Sequence, residues 1–150
     1  MPTDYDDDYP TCRGTYAGLR IYHDDLDPDR ITGLLGIEPS DTQVKGRVIT
    51  TQYGRKFKPP IGGWFLSSKG IVESRDVRRH VDWILDRLES KDDALKGLQA
   101  DGHRMDISCF WFSASGHGGP TLSPAIMKRL GELEIEIWFD IYGGPNDEDE

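Results

Sequence analysis

The segment EIEIWFDIY, residues 134–142, places Ile or Phe at every second position. A β-strand, whose side chains point to opposite faces with a period of two, converts that pattern into two distinct rows. Ile135, Ile137, Phe139 and Ile141 form an apolar row, and Glu134, Glu136, Trp138, Asp140 and Tyr142 form a mixed one. TYAGLRIY, residues 15–22, does the same, with Ala17, Leu19 and Ile21 against Tyr16, Gly18, Arg20 and Tyr22. RMDISCFWFS, residues 104–113, is a third strand, rich in aromatics, and shorter candidates lie at 44–51 and 63–68. A chain with these segments must build a sheet with two chemically different faces.

The intervening segments carry helical periodicity and caps. In LDPDRITGLLG, Asp27 caps, Pro28 takes the first helical position, Ile31, Leu34 and Leu35 form the buried stripe, and Gly36 ends the helix. In SRDVRRHVDWILDRLES, Val77, Val81, Ile84, Leu85 and Leu88 share one face, with Ser74 as the expected N-cap. Ser90 and Asp93 suggest a new cap and a helix to about Ala100, with Leu95 and Leu98 inward. LSPAIMKRLGEL repeats the Leu–cap–Pro opening with Ser123 and Pro124. Strand, loop and Leu–cap–Pro helix thus occur early and late. The expected fold is α+β and ferredoxin-like, a duplicated βαβ plan with a mostly antiparallel sheet and helices on one face. The expected domain spans 15–142, between acidic flexible tails at 1–14 and 143–150.

At 150 residues the chain is one domain, long enough to bury a sizeable core. No apolar run approaches a membrane span and none has signal-peptide form, so the expectation is a cytoplasmic protein with no membrane partner. The net charge of −9 is concentrated in Asp4, Asp6, Asp7, Asp8 and in Asp147, Glu148, Asp149, Glu150; the rest is near neutral. That distribution fits solubilising ends better than a folded acidic surface. Cys12 and Cys109 have no metal or redox spacing, and Cys109, in an apolar strand, is expected buried and inert.

Three places invite function. The first is SASGHGGPTLSP, residues 113–124. Its glycines, at a helix entrance, can turn backbone N–H groups toward an anion, and His117 titrates near neutrality. The simpler reading is a tight connection. If the two halves are alike, Ser113, Ser115, Gly116, His117, Gly118 and Gly119 lie beside His23, Asp24 and Asp25 at one sheet edge. The second is the acid-free stretch 42–72, where Lys45, Arg47, Arg55, Lys56 and Lys58 are anion-binding candidates interleaved with Tyr53 and Phe57, although six charges over thirty residues fit a solvated loop held by the acidic tails slightly better. The third is the sheet face opposite the helices, carrying Arg20, Tyr22, Ser108, Phe110, Phe112, Trp138, Asp140 and Tyr142. Such a face is expected to be covered by loop 45–62, by a second subunit, or by a flat ligand or unpaired bases. Arg20 and Asp140 are read as either a cross-strand salt bridge or a polar anchor within an aromatic groove. His80 is read as a boundary residue of the long helix and His103 as solvated in a turn. No catalytic set, metal set or cofactor motif is read; SGHGGP matches neither a Walker nor a dinucleotide pattern.

SASGHGGPTLSP, YHDDLDPDRITGLLGIEP, GGWFLSS and ELEIEIWFDIY together resemble a bacterial family of domains of unknown function, family 4279, over residues 15–142. The resemblance implies a small α+β domain and assigns no activity or catalytic residue; small domains of this kind are associated with immunity or defence. The leading expectation is therefore a non-enzymatic binding protein acting on a protein partner or a copy of itself, of immunity type. A small anionic ligand or nucleotide at loop 113–123, with some enzymatic role, is the second reading. Single-stranded RNA on the aromatic face is the third and least favoured.

Overall fold

The computed structural model describes residues 4–143. The chain runs β1 (Cys12–His23), α1 (Pro28–Leu35), β2 (Asp41–Gln43), β3 (Ile49–Thr50), β4 (Lys56–Phe57), β5 (Gly62–Ser67), α2 (Val77–Arg87), α3 (Asp92–Ala100), β6 (Arg104–Ser113), α4 (Pro124–Leu133) and β7 (Glu136–Gly143). Five strands form one sheet in the order β2-β5-β1-β6-β7, and β3-β4 is a separate hairpin. All pairings in the large sheet are antiparallel except β6-β7.

β2 is thus parallel to β1 with β5 between them, and β6 is parallel to β5 with β1 between them. Two split β-α-β units interleave, and α4-β7 is added at the β6 edge. The early and late strand–helix units are therefore not equivalent: α1 crosses over a strand to reach β2, whereas α4 returns to the strand adjacent to β6. The β1–β6 register pairs Cys12 with Ser113 and Tyr22 with Arg104. The two central strands are antiparallel, so the loops that follow them leave at opposite ends of the sheet.

The core lies between the sheet and the helices. Ala17, Leu19, Ile21, Trp64, Leu66, Ile107, Cys109 and Trp111 meet Ile31, Leu35, Val81, Ile84, Leu88, Leu95, Leu98, Ile126 and Leu130 in one buried cluster. Every buried side chain of β1 and β6 within the regular register has the same strand parity, as alternation requires. Among the described residues no helix is long and apolar enough to cross a membrane.

Caps follow the sequence at α1 and α4. The Asp27 carboxylate accepts from the N–H groups of Asp29 and Arg30, Gly36 closes α1 in the left-handed region, and Ser123 caps α4. They differ at α2 and α3. Asp76, not Ser74, caps α2, while the Ser74 hydroxyl donates to Asp7 and accepts the Asp76 N–H. α3 follows Lys91 with no side-chain cap, because Ser90 is turned to φ 66° to reverse the chain.

The N-terminal segment is not a free tail. Tyr5 donates to Asp82 at 2.6 Å, the Asp6 N–H donates to Asp76, and Asp7 receives two guanidinium bonds from Arg79. Further on, the Tyr9 hydroxyl lies 2.7 Å from the Gly119 carbonyl. Of the segment's carboxylates, that of Asp7 is held by Arg79 of α2, while Arg78 donates to the Asp4 carbonyl. Residues 144–150, with most of the expected C-terminal tail, lie outside the described residues, as do residues 1–3.

Candidate functional site: the open face of the sheet

Among the described residues, all four helices contribute to the one core, and the other sheet face carries no helix. Its residues follow from parity and register. Tyr16, Gly18, Arg20 and Tyr22 come from β1; Asp106, Ser108, Phe110 and Phe112 from β6; Phe65 and Ser67 from β5; and Trp138, Asp140 and Tyr142 from β7. None of them is buried; Trp138 and Tyr142 are 43% and 49% exposed, and the rest are half-buried.

The aromatic rings form two contacting groups. Tyr16 stacks on Phe110 with centroids 5.0 Å apart, Phe110 meets Tyr142 at 5.3 Å and Phe112 at 6.2 Å, and Tyr22 meets Phe65 edge-on at 5.5 Å. Cations rest on these rings: Arg13 over Phe112, Lys69 over Tyr16, and Arg20 between Tyr22 and Trp138. Arg13 reaches Phe112 because a bulge between Cys12 and Gly14 breaks the β1 alternation there. Arg20 does not pair with Asp140. It forms a two-pronged bridge to Asp106, at 2.8 and 2.7 Å, because Asp106 is its register partner on β6. Asp140, two strands away, instead accepts the Tyr142 hydroxyl. The bridge raises the Arg20 pKa, chiefly through its hydrogen bonds to Asp106.

Across the middle of this face runs a row of small residues, Ser67, Gly18 and Ser108, in register. With Tyr16, Phe65, Phe110 and Asp140 around it, the row forms a depression of about 220 Å³. Gly18 is not required by backbone conformation, since its φ is not positive, nor by crowding, since an added Cβ would meet Leu66 O at an ordinary 3.5 Å. Toward the β1 C-terminal end, a larger groove of about 610 Å³ is lined by Arg20, Tyr22, Met105, Asp106, Glu134 and Glu136, among others.

The Gly-rich loop is a different kind of structure. The Ser113 hydroxyl accepts the N–H groups of Ser115 and Gly116 and donates to the His117 carbonyl. Those N–H groups are therefore turned inward, away from any anion. Gly118 sits at φ 88° against Thr11, where a Cβ would fall 2.5 Å from the Thr11 Cβ. Ser115 and His117 touch at 2.8 Å on an exposed surface. The loop lies at the opposite sheet end from His23, Asp24 and Asp25, so the expected constellation does not assemble. The antiparallel β1–β6 pairing is the physical reason.

His23 meets a different partner. Its ring stacks on His103 with centroids 4.2 Å apart, its Nε2 donates to the Asp101 carbonyl, and its Nδ1 accepts the Asp25 N–H. Asp24 forms an ion pair with Lys45 at 3.5 Å. His103 is buried, not solvated, and donates from Nδ1 to the Leu98 carbonyl. Burial first, and the His23 charge second, lower its pKa. His80 is also buried. Its Nε2 donates to the Ser74 carbonyl, while Nδ1 accepts the Ser68 hydroxyl, which itself accepts the Ala17 N–H. This is a serine–histidine contact sealed in the core, and burial lowers the His80 pKa. Cys12 and Cys109 are free buried thiols, and burial pushes Cys109 up to about 12. Among the described residues no three His, Cys, Asp or Glu side chains are grouped to hold a metal ion.

Arg47, Arg55, Lys56 and Lys58 lie on or beside the β3-β4 hairpin, and every residue from 45 to 58 is exposed. The hairpin therefore does not cover the aromatic face. Sequence reading missed Phe65 and Asp106 as members of that face. The alternation within GGWFLS and RMDISCFWFS carries both, but a six-residue strand beginning with two glycines offers few positions to set its phase.

No curated protein and no solved structure matches this chain. A family model described as Domain of unknown function (DUF4279) matches residues 12–144, which places the whole sheet inside the matched region. The chain belongs to that family.

Proposed function

We propose that this protein is a non-enzymatic binding module whose recognition surface is the open sheet face, with a protein as its partner. The interleaved strand order is read as a ferredoxin-like core extended by α4 and β7, a layout that leaves one sheet face free for recognition. The observation that carries the proposal is the half-buried ring array around Gly18, left without a covering element among the described residues. A glycine inside a central strand weakens it, and here neither φ nor packing calls for one. Close approach of another molecule supplies a reason.

The size and charge of the face favour protein over other ligands. The central depression is smaller than the roughly 300 Å³ at which small-molecule sites begin, and suits one inserted side chain. Arg13, Arg20, Lys69 and Arg104 are matched by Asp41, Asp106, Glu136 and Asp140, so the face lacks the net positive charge that drives nucleic-acid binding. An immunity-type role is one form this reading can take.

The test substitutes Gly18→Val and follows both folding and association. Valine favours a strand, so the melting temperature should hold or rise, while association through the face is lost. A variant that binds its partner as the parent does would refute the proposal. So would oligonucleotide binding that weakens steeply with salt and is blocked by the same substitution.

A further inference from the structure

Two exposed features stand at the same end of the sheet on opposite edges. The β3-β4 hairpin leaves after Gln43 on β2 and returns at Gly62, which pairs with His23. It carries Arg47, Arg55, Lys56 and Lys58, no acid, and Tyr53, which is 81% exposed at the turn between the strands. At the β7 edge, Glu134 and Glu136 border the 610 Å³ groove beside Asp106, whose register partner on β7 is Glu136. One corner is basic with a protruding aromatic side chain; the other is concave and acidic by one net charge, since Arg20 and Arg104 offset two of its three carboxylates and leave the exposed glutamates on its rim in excess.

A two-fold axis lying over the open face, parallel to the strands, exchanges the two edges and keeps the end. It carries the basic hairpin of one copy onto the acidic corner of the other, and does so twice, as an isologous contact requires. We infer that the occupant of the open face is a second copy of this chain, joined face to face with each hairpin seated in its partner's corner groove. The inference rests on the reading of the open face as a recognition surface and names its partner.

Area supports the hairpins' part. Five strands at about 4.8 Å spacing and about eight residues of about 3.3 Å give roughly 600 Å² of flat face. A stable interface takes about 800 Å² per partner. The sheets alone fall short, and the two hairpins add the missing contact.

The experiment is a charge exchange on the full chain, read by sedimentation equilibrium at low salt. One variant carries Lys56→Glu and Lys58→Glu; the other carries Glu134→Lys and Glu136→Lys. The parent should dimerise. Each variant alone should weaken dimerisation by on the order of 100-fold, because like charges now meet twice. An equimolar mixture should form a heterodimer, because both contacts then pair opposite charges. All sites are exposed, so circular dichroism of each variant should match the parent. A parent that stays monomeric to about 1 mM, variants that dimerise as the parent does, or a mixture that does not recover association would each overturn the inference. If Gly18→Val abolishes association while the charge exchange does nothing, the face reading stands and this geometry falls.

Discussion

The guanidinium of Arg20 grips the carboxylate of Asp106 across the two central strands, with bonds of 2.8 and 2.7 Å to its two oxygens. The pair is about 70% buried on a face that has no covering element. It also fixes Arg20 between the rings of Tyr22 and Trp138. One ion pair therefore holds Arg20 against two of the rings of the open face.

Asp106→Asn removes the charge and one strong acceptor. Because the pair is partly solvated, the cost to folding should be about 1 kcal/mol, measured by urea unfolding. Arg20→Lys should cost a similar amount, since an ammonium cannot make the two-pronged contact. A loss below a few tenths would mean that the pair does not order the face.

Asp76 joins the N-terminal segment to the start of α2. It is 1% exposed, caps α2 through the Arg78 N–H, binds the Arg78 guanidinium and accepts the Asp6 N–H. Burial opposes its ionisation, but these donors win and its pKa is lowered. Asp76→Ala should destabilise by about 3 kcal/mol, combining the lost cap with a stranded partner charge. Amide exchange in residues 4–9 should accelerate with it. Unchanged protection there would show that the N-terminal segment is held independently of Asp76.

Acid should destabilise the fold in two stages. His80 and His103 have pKa values lowered below the ordinary 6.5 by burial. In the window between the ordinary value and each lowered one, the unfolded chain binds more protons than the folded one. Their contribution is present above about pH 6.5 and is lost as pH falls through that window. The charges facing His80 are Asp76, Arg79 and Asp7; those facing His103 are His23, Arg30 and Asp101. Asp7 and Asp76, with lowered carboxyl values, lose their share only at lower pH, below 3.8. Unfolding midpoints between pH 7.5 and 5 should drop less for a His80→Gln, His103→Gln double variant than for the parent. Equal slopes would place the acid sensitivity elsewhere.

Local chemistry determined much of this molecule without help from the fold. Alternation in residues 15–22, 104–113 and 134–142 was enough to assign strands and sort their faces, because strand parity is a property of the backbone alone. Asp27-Pro28 and Ser123-Pro124 marked helix starts for the same reason: the cap bond spans three residues. The aromatic face followed from these rows.

Tertiary structure decided what no local rule carries. Whether β1 and β6 run parallel or antiparallel depends on where the intervening helices pack, and that choice separated His23 from His117 by the length of the sheet. It also gave Arg20 to Asp106 instead of Asp140, since a pair is set by register between strands. The acids of residues 4–8 look like solvated tail in sequence. Asp7 became structure because the fold places Ser74 and Arg79 beside it, a proximity created only when the whole chain is folded.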